Sequence, residues 1–261
     1  MAEARRNGGW ARKLTWLALA LSAGGLLAAL IAAVGSGQEY WHFRVGFTIL
    51  RYAFYAAIAG GLLAIIAWIA GRRAGPDLGR YNLLAFVIAL GFVGYLGSHI
   101  VTARSVPAIH DVTTNLQDMP QFTMLKVRED NLENIPDNDD PQLKALDPES
   151  RWKAIHGKAY ADLRPVRVPW SVEETIRRAE AVARGRGWNI AKADPAAGIL
   201  EATDTTTFFR FKDDVVVRAR PFAEVKGGTQ VDVRSISRVG GSDVGVNAKR
   251  IRAFLKDLQQ S

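Results

Sequence analysis

The 261-residue chain contains no cysteine, and this absence excludes several kinds of chemistry. Disulfides, thiolate zinc sites, iron–sulfur clusters and cysteine nucleophiles all need the missing thiol. Acidic residues are also scarce in the first hundred residues, which hold three Asp or Glu against nine Lys or Arg. Most of the formal net charge of +8 therefore lies in a mostly apolar segment, which argues against nucleic acid as a partner.

The N-terminal part has three long runs that are almost free of charge. They cover residues 14–34, 47–70 and 81–101, and Arg51 is the only charged residue in them. About 20 apolar residues in a helix cross a hydrocarbon core of about 30 Å. The sequence therefore predicts a basic tail at 1–13 and a three-helix transmembrane region at 14–101. The first run could instead be a cleaved signal peptide. Its length and the two runs that follow it favour an uncleaved helix.

The basic residues of the short connections predict the orientation. Arg44 is the only basic residue between the first and second runs, whereas the tail and the connection between the second and third runs are rich in them. These basic residues are Arg5, Arg6, Arg12, Lys13, Arg72, Arg73 and Arg80. Because basic loops stay cytoplasmic, the N-terminus is predicted inside and everything after Val101 outside. We therefore expect a multi-pass bacterial inner-membrane protein, with the lipid bilayer as one partner and a periplasmic C-terminal domain.

Arg51, His42 and His99 are the polar residues within or beside the predicted spans that could indicate a function. Arg51 is close enough to the outer end of its helix for the side chain to reach the interface by snorkelling. His42 and His99 fall at the same outer surface, where two imidazoles could bind haem or a metal. Two interfacial residues without a ligand explain them more simply, and no cofactor is predicted.

The segment 129–140 is strongly acidic and reads EDNLENIPDNDD. Acidic clusters can bind calcium, but this one lacks the Gly and the terminal Glu of a helix-loop-helix calcium site. We therefore predict a solvated acidic loop.

Regular patterns return at Ser171, which forms a capping box with Glu174 before an amphipathic helix. Four extended runs and a closing helix follow, at 188–193, 199–211, 215–221, 229–239 and 246–258. Hairpin turns are predicted at 212–214 and 226–228. The order α-β-β-β-β-α with short connections predicts an antiparallel sheet that has both helices on one face. The fold class is therefore three N-terminal transmembrane helices followed by an α+β domain at 102–261.

The predicted sheet has one face rich in charge, and two interpretations of it stay open. Alternation places Asp232, Arg234 and Arg238 on the same face of the last strand. The arginines either bind an anionic ligand or form a cross-strand ladder of salt bridges. A Gly-rich segment before the closing helix either cradles an anion or caps the helix. The candidate binding surface comprises His110, Asp111, Glu201, Asp204, Arg218, Arg220, Asp232, Arg234, Arg238, Ser242, Asp243 and Asn247.

Several stretches resemble one known family, the domain-of-unknown-function family 1499. PAIHDVTTNLQDMPQF resembles its opening motif, and VDVRSISRVGGSDVGVNAKRIRAFL resembles its long last block. EATDTT and FKDDVVVRAR resemble blocks between these two. The resemblance covers residues 106–258 and implies an exported, membrane-tethered domain. It supplies no catalytic residues, because the family has no assigned activity.

Three functions are compatible with this sequence. The first is a periplasmic binding or interaction module for an anionic envelope ligand or a partner protein. The second is a membrane-anchored hydrolase, in which His110, Asp111 and Asp204 would provide acid–base chemistry. The third is an accessory subunit of a membrane complex. Because no nucleophile or metal motif supports catalysis, the sequence favours the first.

Overall fold

The computed structural model describes residues 2–71, 76–133, 135–222 and 228–261. It divides into two compact units. The first, which we call the helical unit, comprises Met1–Val101 and Thr207–Arg210. The second, the α+β unit, comprises Thr102–Thr206 and Phe211–Ser261.

The helical unit contains three long helices. They are α1 (Ala2–Gly37), α2 (Phe43–Ala70) and α3 (Pro76–Ser105). Their segments Gly9–Gly37, Phe43–Ala70 and Leu78–Ser105 are long and apolar enough to cross a membrane. The prediction of three such helices is confirmed, and it supports a membrane protein. Each helix is longer than the apolar run that predicts it. The hydrogen-bonded helical backbone continues into neighbouring residues that lie outside the apolar run.

Small residues let α1 and α2 pack closely. A Cβ atom added at Gly60 would lie 2.7 Å from the Ser22 backbone nitrogen and 2.9 Å from the Ala18 carbonyl oxygen. One added at Gly25 would lie 2.8 Å from the Ala53 carbonyl oxygen. The helices therefore touch through backbone atoms, as small residues permit in membranes.

Arg51, His42 and His99 each have a neighbouring group in the helical unit. The Arg51 guanidinium lies 5.4 Å from the centre of the Tyr52 ring. His42 is the N-cap of α2, and its Nδ1 accepts a hydrogen bond of 3.3 Å from the Arg44 amide. The His99 ring lies 4.7 Å from that of Tyr95. Helix capping thus gives His42 a role that needs no metal. Two of the arginines that predict the orientation, Arg72 and Arg73, lie outside the described residues.

The α+β unit has ten described elements. They are β1 (Asp111–Thr113), α4 (Pro141–Lys144), α5 (Pro148–Ala159), β2 (Val166–Val168), α6 (Val172–Gly185), β3 (Asn189–Asp194), β4 (Ile199–Thr205), β5 (Lys212–Pro221), β6 (Thr229–Ser237) and α7 (Val246–Gln260). The sheet is antiparallel with the order β1-β6-β5-β4-β3, and β2 also pairs with β6. The predicted α+β class and the order from α6 to α7 are confirmed. The elements β1, α4, α5 and β2 are additional.

The boundaries of β4 and β5 differ from the prediction. Strand β4 ends at Thr205 rather than at 211, and the turn predicted at 212–214 is the start of β5. The aromatic residues of 206–211 favour strands by propensity, yet here they form the hairpin tip. The capping box is present, with the Ser171 hydroxyl accepting a hydrogen bond of 3.2 Å from the Glu174 amide. Residues 226 and 227 of the second predicted turn lie outside the described part of the chain.

The acidic segment 129–140 is not wholly solvated, so that prediction was wrong in part. Asn131 and Ile135 are buried, and the Arg151 guanidinium donates a hydrogen bond of 3.0 Å to the Ile135 carbonyl oxygen. Asp140 caps α4 through a hydrogen bond of 2.8 Å from the Gln142 amide. Apolar and capping contacts therefore hold this segment against the domain.

The hydrophobic core lies between the sheet and helices α6 and α7, as predicted. Alternation along the strands sends apolar side chains to this face. Its strand residues include Leu200, Ala202, Val215, Val217, Val231 and Val233, and its helix residues include Ile176, Ile251, Phe254 and Leu258. The opposite face of the sheet carries most of the charged side chains of the central strands.

Candidate functional site

Most charged side chains of the central strands lie on the sheet face opposite α6 and α7, which we call the polar face. The register aligns Ile199, Arg218 and Asp232 across β4, β5 and β6. The next aligned set is Glu201, Val216 and Arg234. Residues 114–131, which we call the strap, lie over this face and form most of its hydrogen bonds. Polar side chains are therefore covered by polar backbone.

A buried ion pair joins strand β1 to strand β6. Arg234 donates to both carboxylate oxygens of Asp111, at 3.1 and 2.7 Å, and the two side chains are 6% and 2% exposed. Asn131 donates to the same carboxylate at 2.7 Å, and Arg234 also donates to the Pro120 carbonyl oxygen at 3.3 Å. Both charges are thus compensated internally, as burial requires.

His110 does not bond directly to the carboxylate of Asp111. Its Nε2 lies 3.2 Å from the Asn131 Oδ1, and the amide nitrogen of the same Asn131 bonds Asp111. Because an amide oxygen only accepts, Nε2 carries the hydrogen in this arrangement. The side-chain amide of Asn131 therefore bridges His110 and Asp111. Because an amide cannot relay a proton between them, this arrangement does not favour the acid–base hypothesis.

Arg218 and Arg220 converge on two shared carboxylates, and we call this pair the arginine fork. Both donate to Asp232 Oδ2, at 2.9 and 3.0 Å, and the Asp232 side chain is fully buried. Both also bind Asp118 of the strap, with Arg218 at 3.2 and 3.1 Å from its two oxygens. The Asp118 side chain is 54% exposed, so one carboxylate of the fork is internal and the other faces solvent. The hydrogen bonds from Arg218 and Arg220 hold the pKa of Asp118 below its ordinary value.

Glu201 is fully buried and anchors the middle of the strap. It accepts hydrogen bonds from the amides of Thr123, Met124 and Leu125 at 2.6, 3.0 and 2.8 Å, and from the Thr123 hydroxyl at 2.6 Å. Burial by itself raises the pKa of Glu201, but these hydrogen bonds outweigh it and leave the pKa lowered. Three successive amides that bind one anion form a nest, and here the anion belongs to the protein.

Arg238 forms a further ion pair beside a shallow cleft. It donates to both oxygens of Asp214 at 2.8 Å each, and to the Thr203 hydroxyl at 3.1 Å. The neighbouring cleft has a volume of about 260 Å³ and is lined by Phe122, Lys126 and Ile236, among others. The Arg238 side chain is 41% exposed, so it borders solvent while its charge stays paired.

The remaining candidate residues lie on the helix side of the sheet. Asp243 accepts hydrogen bonds from the Gly245 and Asn247 amides at 2.7 and 2.8 Å, so its carboxylate binds the N-cap residue Gly245 and the first turn of α7. The hydroxyl of Ser242 accepts from the Val244 amide at 3.2 Å. Burial, opposed by these amides, raises the pKa of Asp243. The Gly-rich segment is thus already filled by its own carboxylate.

Asp204 and Asn247 belong to a second ionic cluster, which is centred on Arg250. Arg250 donates to Asp204 and to Asp213, at 2.7 and 2.6 Å. It also contacts the Asn247 side chain, which in turn donates to the His110 carbonyl oxygen at 2.9 Å. The twelve candidate residues therefore do not form one surface, because this cluster lies on the opposite side of the sheet.

Four residues that sequence reasoning missed complete these clusters. Asp118 and Asn131 lie in the irregular strap, which has no periodicity to indicate their direction. Asp213 belongs to the turn that the sequence predicts at 212–214. Arg250 is a charged residue in the predicted closing helix, where a position facing solvent is the simpler interpretation. Among the described residues, no group of three or more His, Asp or Glu side chains could hold a metal ion.

The chain is similar to one known family. One family model, described as "Protein of unknown function (DUF1499)", matches residues 111–258. No curated protein matches the chain.

Proposed function

Since the chain belongs to the DUF1499 family, whose function is unknown, we propose its function from the geometry of its own residues. We propose a membrane-tethered binding module whose α+β domain holds an anionic ligand at the arginine fork. The observation that carries this proposal is that two guanidinium groups share a half-exposed carboxylate on their solvent side. The bound group would be a carboxylate or a phosphate, both of which fit arginine donors.

The charge balance of the fork supports this assignment. Arg218 and Arg220 face the buried carboxylate of Asp232, which lies on β6 and stays in place. Their second carboxylate, Asp118, comes from the strap and is 54% exposed. When Asp118 moves away, two positive charges face one negative charge, and an external anion restores neutrality.

The low strength of exposed ion pairs makes this exchange feasible. Solvent screens the pairs made by Asp118, and such pairs contribute little to stability. By contrast, the pair of Arg234 and Asp111 is buried, so its exchange with an external ligand would leave a charge without a partner. Among the candidate arginines, the fork is therefore the better site for binding.

We also propose that the α+β domain faces the periplasm of a bacterial inner membrane. The support is the distribution of basic residues, which are concentrated in the tail and in the connection between α2 and α3. In that location the ligand would be an anionic component of the envelope, or an acidic segment of a partner protein.

The test measures thermal stabilisation of the detergent-solubilised full chain by inorganic phosphate, pyrophosphate and citrate. We expect the unfolding midpoint of the wild type to rise with at least one of these anions. The double variant R218Q/R220Q should lose the rise. The variant D118N should enlarge it, because the internal competitor no longer carries a charge.

The matched control is R252Q. Arg252 also pairs with an exposed carboxylate, that of Asp162, and the two side chains are 42% and 57% exposed. R252Q should keep the full response to the anions. The proposal fails if neither the wild type nor D118N responds to any anion, or if R252Q loses the response as fully as the double variant does.

A further inference from the structure

The tip of the β4–β5 hairpin has an unusual composition. Residues 206–211 read TTFFRF, with Phe208 and Phe209 adjacent to each other. Turns normally consist of Gly, Pro, Asn, Asp and Ser, which suit exposed backbone. Two adjacent phenylalanines are therefore unusual at a hairpin tip that faces water.

The tip is closed at its base by two hydrogen bonds between Thr206 and Phe211. The Thr206 amide donates to the Phe211 carbonyl oxygen at 2.9 Å, and the Phe211 amide donates to the Thr206 hydroxyl at 2.8 Å. Arg210 has a positive φ of 52°, which turns the chain back into β5. The Phe208 side chain at the apex is 53% exposed.

Residues Thr207–Arg210 belong to the helical unit, and within it they contact helix residues. The Phe209 ring lies 4.9 Å from the Phe47 ring of α2, and a Cβ atom added at Gly46 would lie 2.9 Å from the Phe209 ring. The Phe208 ring lies 6.3 Å from the Tyr95 ring of α3. The tip therefore packs on two helices that are long and apolar enough to cross a membrane.

The contacted helix residues lie within the candidate spans themselves. Phe47 belongs to the span Phe43–Ala70, and Tyr95 belongs to the span Leu78–Ser105. Phe47 and Tyr95 are 45% and 50% exposed, so neither is buried within the helical unit. An exposed ring that is packed beside these side chains shares their surroundings. Aromatic residues are enriched where the hydrocarbon core meets water.

We propose that the β4–β5 hairpin tip inserts Phe208 into the lipid bilayer. This is a second membrane attachment for the chain, formed by a loop rather than by a helix. It does not depend on the anion site, because Phe208 takes no part in the arginine fork. It explains why a turn carries phenylalanine where a polar residue would suit water.

The absence of native cysteine allows a direct test with the full chain. Single cysteines at F208C and A196C are labelled with an environment-sensitive nitrobenzoxadiazole dye and reconstituted in phosphatidylcholine vesicles. Ala196 is exposed in the β3–β4 turn, at the other end of β4, and serves as the matched control. Quenching by nitroxide-labelled lipid and by aqueous iodide is then measured. T207C provides a second label position if F208C lowers the unfolding midpoint.

We expect nitroxide lipid to quench the dye at position 208, or at position 207, at least about threefold more than the dye at position 196. Iodide should show the reverse order. Equal lipid quenching at the tip and at position 196 would overturn the proposal. A tip dye that is protected from both quenchers would also overturn it, because the tip would then be covered by protein.

Discussion

At the scale of single residues, each buried carboxylate of the polar face has its own set of donors. Asp111 has Arg234, and Glu201 has three strap amides. Removing one partner of the buried pair of Arg234 and Asp111 costs about 3–5 kcal/mol, because the other charge stays buried without a compensating charge. These residues therefore specify the position of the strap, while the exposed carboxylate of Asp118 is the replaceable one.

His156 leads to a prediction about pH. It lies on α5, is 1% exposed, and its Nε2 accepts a hydrogen bond of 3.1 Å from the Thr113 amide. Burial lowers the pKa of His156 to about 4 from 6.5. The unfolded chain therefore takes up the proton first, so stability is complete above about pH 6.5 and falls as the pH drops toward 4. We expect a loss of about 2 kcal/mol in the free energy of unfolding between about pH 7.5 and pH 5.

The variant H156Q isolates this effect, because glutamine also accepts a hydrogen bond but does not titrate in this range. Thermal unfolding of the solubilised chain at the two pH values gives the comparison. The wild type should lose more stability than H156Q between them. An equal loss in both proteins would show that other groups cause the pH dependence.

At the scale of elements, Gly25 of α1 and Gly60 of α2 have a packing role that the glycines of α3 do not share. A side chain at Gly60 would overlap Ser22 and the Ala18 backbone, whereas one at Gly94 would meet nothing within 4 Å. We expect G60V to separate α1 from α2 and to destabilise the helical unit by about 1–3 kcal/mol, the range of overpacking.

G94V is the matched control, because it makes the same substitution inside a helix with open space around it. The thermal midpoint and the monodispersity of both variants in detergent give the result. G60V should be lower in both measurements, and G94V should resemble the wild type. If G94V is impaired as much as G60V, helix propensity rather than packing explains the loss.

The elements also differ in how far the sequence could predict them. The amphipathic pattern and the capping box indicate α6, and long apolar runs indicate the three long helices of the helical unit. By contrast, β1 and β2 have only three residues each, which is too short for alternation to be visible. They become strands because β6 offers both of them an edge, which is a tertiary property.

At the scale of the whole molecule, the proposed orientation predicts which positions a membrane-impermeant maleimide can reach. Single cysteines at N7C and A196C report on the N-terminal tail and on the α+β domain. In intact bacterial cells, A196C should be labelled and N7C should not. Both should be labelled after the membrane is permeabilised, which controls for expression and reactivity. Labelling of N7C alone in intact cells would reverse the orientation.

The sequence by itself determined the class of this protein: three apolar helices, then an antiparallel α+β domain. Run length and periodicity are local properties, so they can be read without knowing which residues meet. The pairing of charges was decided only by the tertiary structure. Asp118 and Arg218 are 100 positions apart, and they meet because the strap lies across the sheet. Alternation placed the arginines on one face, but only the fold decided that the partner facing solvent is Asp118 and that the one held inside is Asp232.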